Sequence, residues 1–89
     1  MNAGRVVRVG LLGFGTIGSS VYELIQREHD QILEGTGADL QVSRVLEIDE
    51  SKIPADAPAG LFTADFSEIV DDPSIAVVVE AIGGTEAAF

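Results

Sequence analysis

The spacing of apolar positions changes several times along the chain, and each change predicts a new structural element. The run Arg5–Leu12 is short, aliphatic and rich in β-branched residues, which predicts a buried parallel strand. Over residues 16–33 the apolar side chains recur at helical intervals, with charged side chains on the other side. This pattern predicts one amphipathic helix, and Gly35 supplies the residue that ends it.

The middle of the chain returns to strand character. Residues 40–48 predict a second strand, and a polar loop with two prolines follows over residues 49–60. Residues 61–63 predict a brief edge strand. Asp65 and Glu68 have the spacing of a capping box, which predicts a short helix after them.

Residues 75–82 form the most apolar stretch of the chain. Their composition predicts a central strand that ends at Gly83 and Gly84. Strands that alternate with helices at this spacing are typical of right-handed crossover connections in a parallel sheet. The sequence therefore predicts an α/β fold in which a strand–helix–strand unit is followed by a further strand.

The composition excludes several classes of site. The 89 residues include no cysteine and one histidine, which excludes a disulfide framework and a thiolate metal site, and we expect no metal site. The formal net charge of −10 comes from scattered acidic residues, which argues against nucleic acid and membranes as partners. Because no signal-peptide pattern and no long apolar segment are present, we expect a cytoplasmic protein.

A glycine motif lies where the first predicted strand passes into the first predicted helix. Gly13, Gly15 and Gly18 form G-x-G-x-x-G. In this motif the first glycine permits a tight turn, the second lets a pyrophosphate approach the backbone, and the third lets the helix pack closely on the sheet. The free N–H groups at the helix start then bind the phosphates. The motif predicts a dinucleotide site on a partial Rossmann-type parallel sheet; a tight turn without a ligand is the alternative interpretation.

Two charged residues after the second strand are candidates for contacts with the cofactor. Asp49 follows the predicted strand where the 2′-hydroxyl of an adenosine ribose would lie. Its interval from Gly18 is longer than the usual spacing of about 20 residues, and a solvated loop acid is the alternative. Lys52 either contacts a phosphate or offsets the neighbouring acids.

Small residues at the end of the last strand form a further candidate contact. Gly84 and Thr85 follow the strand at its carboxyl end, where backbone can lie against the nicotinamide half of a cofactor. An ordinary strand terminator is the alternative. Glu80 either faces the site or is paired in a larger protein, and His29 is expected at the surface.

Three segments of the chain resemble the amino-terminal part of homoserine dehydrogenases in order, spacing and residues. They are VRVGLLGFGTIGSSVYELI, SRVLEIDESK and SEIVDDPSIAVVVEAIGGTE. The turn DDP followed by an apolar strand and E-x-I-G-G-T is more specific than the glycine motif. Two positions depart from the family pattern, since Ala87 replaces a usual proline and Ile48 replaces a frequent arginine.

The resemblance implies an oxidoreductase that interconverts L-homoserine and L-aspartate 4-semialdehyde with NAD or NADP, in threonine and methionine biosynthesis. Residues 1–89 would form the amino-terminal part of its dinucleotide-binding domain, and the family's catalytic lysines and acids would lie beyond them. We therefore expect no catalytic residue in this chain and no turnover by it alone.

The resemblance also implies which residues contact the cofactor. Phe14, Thr16 and Ile17 would join the glycines, and Gly84 with Thr85 would border the nicotinamide. The missing arginine at Ile48 favours NAD over NADP, because a 2′-phosphate would then lie among acids.

Other functions stay open at this point. A free-standing nucleotide-binding regulatory module and the cofactor domain of another reductase of the same fold both fit the glycine motif. A parallel sheet needs cover on both faces, so an incomplete sheet would expose an edge and apolar surface. Exposed surface of this kind predicts association with a second copy or with further segments of the chain, and we expect a homo-oligomer.

Overall fold

The computed structural model describes residues 4–81. They form a four-stranded, fully parallel sheet with the strand order β3-β2-β1-β4 and helices on its faces. The elements in chain order are β1 (Arg5–Leu12), α1 (Thr16–Arg27), α2 (His29–Thr36), β2 (Ala38–Leu46), a 3-10 helix (Glu50–Lys52), β3 (Phe62–Thr63), α3 (Ser67–Val70) and β4 (Ile75–Glu80). The predicted α/β class is confirmed, and β1 has the bounds that the sequence predicts.

The core lies on both faces of β1 and β2. Leu11 and Leu12 follow one another in β1, so their side chains point to opposite faces of the sheet. Leu11 is fully buried with Val45, beside Val21 and Tyr22 of α1. Leu12 packs with a second set on the other face, which includes Leu46 and Ile69. This packing places α1 and α3 on opposite faces of the sheet.

The sequence predicts one continuous first helix, but in the structure this helix is divided at Glu28. Glu28 has φ −98° and ψ 13°, which lie outside helical values, although its N–H still donates to Leu24. The second segment ends at Gly37, not at Gly35, because Gly37 adopts the left-handed conformation with φ 78°. Gly35 lies within the segment, and a Cβ there would meet nothing within 4 Å.

The later elements also differ from their predicted form. β2 begins and ends two residues earlier than predicted, because it pairs with β1 from Ala38 to Leu46. Asp65 accepts from the N–H and hydroxyl of Ser67, whereas the Glu68 carboxylate accepts from Arg44 at 3.1 Å. The reciprocal capping box is therefore absent among the described residues.

The strand predicted to be central, β4, lies at one edge of the described sheet. Within residues 4–81, β1 is the only strand that pairs with it, and its observed range is Ile75–Glu80. Val77 and Val78 point to opposite faces, and each is more than 40% exposed. Ile75 and Val79 of the same strand pack against the core, so both faces of β4 are only partly covered in this part of the chain. No helix among the described residues is long and apolar enough to cross a membrane.

His29 connects α2 to β2 through a contact with Asp39. Its Nε2 lies 2.6 Å from the Asp39 carboxylate and its Nδ1 lies 3.0 Å from Asp30. The hydrogen bond with Asp39, followed by that with Asp30, raises the pKa of His29 above its ordinary value. The bond to His29 in turn lowers the pKa of Asp39. The sequence expectation of a surface histidine is thus refined, since the side chain is one-third exposed and paired.

The His29–Asp39 pair should stabilise the fold most between about pH 4 and pH 6.5. The contribution of His29 is present below the pKa of an unfolded histidine and is lost as pH rises through the raised folded value. The stabilising contribution of Asp39 is lost as pH falls through its lowered pKa. We expect His29→Gln to lower the melting temperature more at pH 5.5 than at pH 8.5. An equal loss at both values would contradict this assignment.

Candidate functional site

A cleft of about 200 Å³ lies at the edge of the sheet where β1 and β2 end. Its walls come from the glycine loop, the segment after β2 and the residue after β4, namely Gly13, Gly15, Leu46, Glu47, Ile48, Lys52 and Ala81. Open α/β sheets bind ligands outside the carboxyl ends of their strands. The glycine loop therefore lies at the edge where a ligand is expected.

A larger depression of about 500 Å³ lies elsewhere, between α1, the start of α2 and β2. Its lining includes Tyr22, Arg27 and Gln41, and none of the predicted site residues that the structure describes. Size alone therefore does not locate the candidate site. We place it in the smaller cleft because the glycine loop and a helix start meet there.

Gly13 and Gly18 pack directly against each other in the glycine loop. Gly13 has φ 108°, a value that side chains other than glycine rarely allow. A Cβ on Gly18 would overlap the carbonyl oxygen of Gly13, and it would lie 2.8 Å from the carbonyl carbon. The same Cβ would lie 3.6 Å from Cβ of Ala81, beyond the end of β4. Gly18 thus allows close packing, as the sequence predicts, but the nearest neighbour is the loop backbone and not the sheet.

Gly15 faces open space in the cleft. A Cβ at Gly15 would have a single neighbour within 4 Å among the described residues, the Lys52 ammonium at 3.8 Å. Gly15 also precedes α1, whose first turn carries no acidic side chain and no side-chain cap in the described structure. The positive end of the helix and a lysine ammonium therefore flank the same space. This arrangement favours an anionic group beside Gly15.

Glu47 was missed by sequence reasoning, although it lies in the wall of the cleft. It directly follows Leu46, the last residue of β2. One carboxylate oxygen accepts from the N–H of Phe14 at 2.8 Å, and the other accepts from the N–H of Asp49 at 3.0 Å. Glu47 thereby connects the glycine loop to the segment after β2. The signal in the sequence is that Glu47 is the first acid after β2. The predicted strand ended two residues too late, at residue 48, so Glu47 was counted within the strand.

Asp49 lies three positions beyond the end of β2 and outside the residues that line the cleft. Its Oδ1 accepts from the hydroxyl of Ser51 at 2.6 Å and from the N–H of Ser51 at 3.0 Å. These bonds cap the 3-10 helix and hold the pKa of Asp49 below its ordinary value. One of the carboxylate oxygens is therefore occupied locally. Ile48, between the two acids, is 76% exposed.

Residues 13–88 match the family model described as the NAD-binding domain of homoserine dehydrogenase.

The chain belongs to the homoserine dehydrogenase family.

Individual members of the homoserine dehydrogenase family agree with this assignment. The homoserine dehydrogenase of Bacillus subtilis is 40% identical over 83 residues, which are 92% of this chain and 19% of that protein. That of Synechocystis is 35% identical over 82 residues, again 92% of this chain and 19% of the relative. The chain thus spans about one fifth of the length of the curated relatives that it matches.

Solved homoserine dehydrogenases have the same fold over the shared region. A crystal structure of the Staphylococcus aureus enzyme at pH 6.0 matches with a TM-score of 0.78 and 32% identity, over 90% of this chain and 21% of that one. The Thiobacillus denitrificans enzyme matches with a TM-score of 0.74 and 34% identity, over 90% and 19%. The similarity to an NAD-binding domain supports a nicotinamide dinucleotide as the cofactor class.

The additional contacts implied by the resemblance to homoserine dehydrogenases are only partly brought together. The ring of Phe14 packs edge-on against Phe62, with centroids 4.9 Å apart, and also against Tyr22. Phe14 is absent from the lining of the cleft, and its N–H bonds to Glu47, which does line it. Thr16 and Ile17 are exposed in the first turn of α1.

The candidate contacts on the nicotinamide side, Gly84 and Thr85, lie outside the described residues, as does Gly83. Glu80 is the last residue of β4, is exposed, and pairs in register with Leu12 of β1. Their roles stay predictions.

Proposed function

We propose that this chain is the cofactor-binding part of an NAD(P)-dependent homoserine dehydrogenase. Residues 1–89 would be the amino-terminal part of its dinucleotide-binding domain. The observation that carries the proposal is the space beside Gly15, which is flanked by the start of α1 and the Lys52 ammonium. A family model of an NAD-binding domain that matches residues 13–88 supports the same function.

In this proposal the pyrophosphate lies beside Gly15, where free backbone N–H groups and Lys52 meet its charge. The adenosine ribose lies at the end of β2, and the nicotinamide lies toward Gly84 and Thr85. The bound cofactor supplies the hydride chemistry, whereas the protein binds and orients it. The substrates would be L-homoserine and L-aspartate 4-semialdehyde, and we propose that no catalytic residue lies within residues 1–89.

The finer assignments are also proposals. NAD is favoured over NADP because acidic residues follow β2 and Ile48 provides no positive charge. The exposed side chains of Val77 and Val78 on β4 support a homo-oligomer. The absence of cysteine from the sequence fits a cytoplasmic enzyme of threonine and methionine biosynthesis.

The test uses the natural full-length chain. Titration calorimetry with NADH and NADPH should show saturable binding, and L-homoserine should support reduction of the oxidised cofactor. Residues 1–89 expressed alone should give no turnover. Absence of binding by the full-length chain would contradict a dinucleotide site. Binding without homoserine oxidation would favour a regulatory nucleotide-binding module or another reductase. Turnover by residues 1–89 would show that catalytic groups lie within them.

A further inference from the structure

Glu47 is placed to distinguish the two nicotinamide cofactors. Building on the proposed function, we propose that Glu47, and not Asp49, accepts the 2′-hydroxyl of the adenosine ribose and selects NAD over NADP. The proposal depends on where the two carboxylates lie, which the sequence does not reveal.

Glu47 lies where an acid can bind the adenosine ribose. In dinucleotide-binding folds the acid at the end of the second strand bonds to the 2′-hydroxyl, across from the glycine loop. Here β2 ends at Leu46, and Glu47 is the next residue. Its side chain lines the cleft together with Gly13 and Gly15.

The carboxylate of Glu47 is held in place and still has free acceptor capacity. The N–H groups of Phe14 and Asp49 each donate to a different oxygen, at 2.8 and 3.0 Å. A carboxylate offers about four acceptor positions, so a hydroxyl can bind alongside these two donors. The two backbone bonds therefore fix the orientation of Glu47 without using up its capacity.

Asp49 has a different role. It accepts twice from Ser51 and caps the 3-10 helix that carries Lys52. It is absent from the lining of the cleft. We assign Asp49 to the positioning of this short helix, and its proximity to Glu47 in sequence does not give it access to the ribose.

A 2′-phosphate would meet unfavourable charge at Glu47. The N–H of Phe14, a donor that a phosphate oxygen would need, is already bonded to Glu47. The ammonium of Lys52 lies 3.8 Å from the Cβ position of Gly15, so it faces the space proposed for the pyrophosphate. Ile48 is exposed and apolar. The phosphate of NADP therefore meets a carboxylate without a cation assigned to offset it, whereas the hydroxyl of NAD gains an acceptor.

The matched variants Glu47→Gln and Asp49→Asn test this assignment in the natural full-length chain. Each removes one negative charge with little change of shape, and asparagine retains the ability to cap. The measurement is the ratio of the NADP and NAD dissociation constants by calorimetry, with melting temperatures as a check of folding. We expect Glu47→Gln to lower this ratio at least tenfold and Asp49→Asn to change it less than about threefold, since a hydrogen bond to a charged group is worth roughly one to two decades in affinity.

A ligand analogue tests the role of Glu47 even if the Glu47→Gln variant does not fold. The 2′-deoxyadenosine form of NAD lacks the hydroxyl, and we expect the unmodified protein to bind it about tenfold more weakly than NAD. That preference should persist in Asp49→Asn. Its loss in Asp49→Asn, or equal binding of the two ligands by the unmodified protein, would overturn the role of Glu47 and leave the proposed function intact. Failure of the unmodified protein to bind any dinucleotide would overturn both.

Discussion

Gly15→Val is expected to abolish binding of nicotinamide dinucleotides while the fold persists. Gly15 has φ −74° with an extended ψ, and a Cβ there meets only the Lys52 ammonium among the described residues, so the free protein has room for the change. The branched side chain would fill the space proposed for the pyrophosphate and separate it from the backbone. Because two or more charge-assisted hydrogen bonds would be lost, we expect affinity to fall at least about a hundredfold.

The control for this variant is Gly35→Val. It makes the same chemical change at an exposed position in α2, where a Cβ meets nothing within 4 Å. Calorimetry with NADH should give an affinity close to that of the unmodified protein for Gly35→Val and no measurable binding for Gly15→Val. Unchanged affinity in Gly15→Val would refute the assignment of the glycine loop as the phosphate site.

Gly18→Ala is expected to destabilise the fold itself. The new methyl group would overlap the carbonyl oxygen of Gly13, and backbone cannot move aside as a flexible side chain can. Overpacking against fixed atoms costs about 3 kcal/mol at the upper end of the usual range. In a domain of about 100 to 250 residues, a loss of about 3 kcal/mol lowers the melting temperature by roughly 6 °C or more.

Gly35→Ala is the matched control for Gly18→Ala. Both residues are helical, but Gly35 lies in open space, and alanine is favoured over glycine in a helix by about 0.5–1 kcal/mol. Thermal unfolding should therefore show a lower melting temperature for Gly18→Ala and a slightly higher one for Gly35→Ala. Equal melting temperatures for the two variants would show that the loop accommodates a side chain at Gly18.

The strands were more predictable than the helices. β1 could be delimited from its residues because an aliphatic run ends abruptly at Gly13. The division of the first helix at Glu28 was not predicted, because Ile25 and Ile32 are two helical turns apart and neither glycine nor proline lies between them. Which of Gly35 and Gly37 ends the second segment depends on the left-handed conformation that only Gly37 adopts, and both glycines look alike in sequence.

In the candidate site, the glycine loop was more predictable than the segment after β2. The glycine motif is local in sequence, so its position between β1 and α1 was predictable. Lys52 was predicted with two alternatives, and the structure places its ammonium beside Gly15. Glu47 was missed because the end of β2 depends on pairing with β1, and a shift of two residues exchanges one acid for another at the end of the strand.

Sequence alone was sufficient to predict the α/β class, the glycine loop at the start of α1 and the resemblance to homoserine dehydrogenases. These features depend on short-range patterns, namely strand and helix periods and the spacing of small residues. Three contacts are visible only in the folded chain: Glu47 bonds to the glycine loop, Asp49 caps a short helix, and Gly18 lies against Gly13. The contact of Glu47 joins residues 33 positions apart and depends on where β2 ends against β1. The other two contacts are local, and they depend on the exact path of each turn, which residue types alone do not specify.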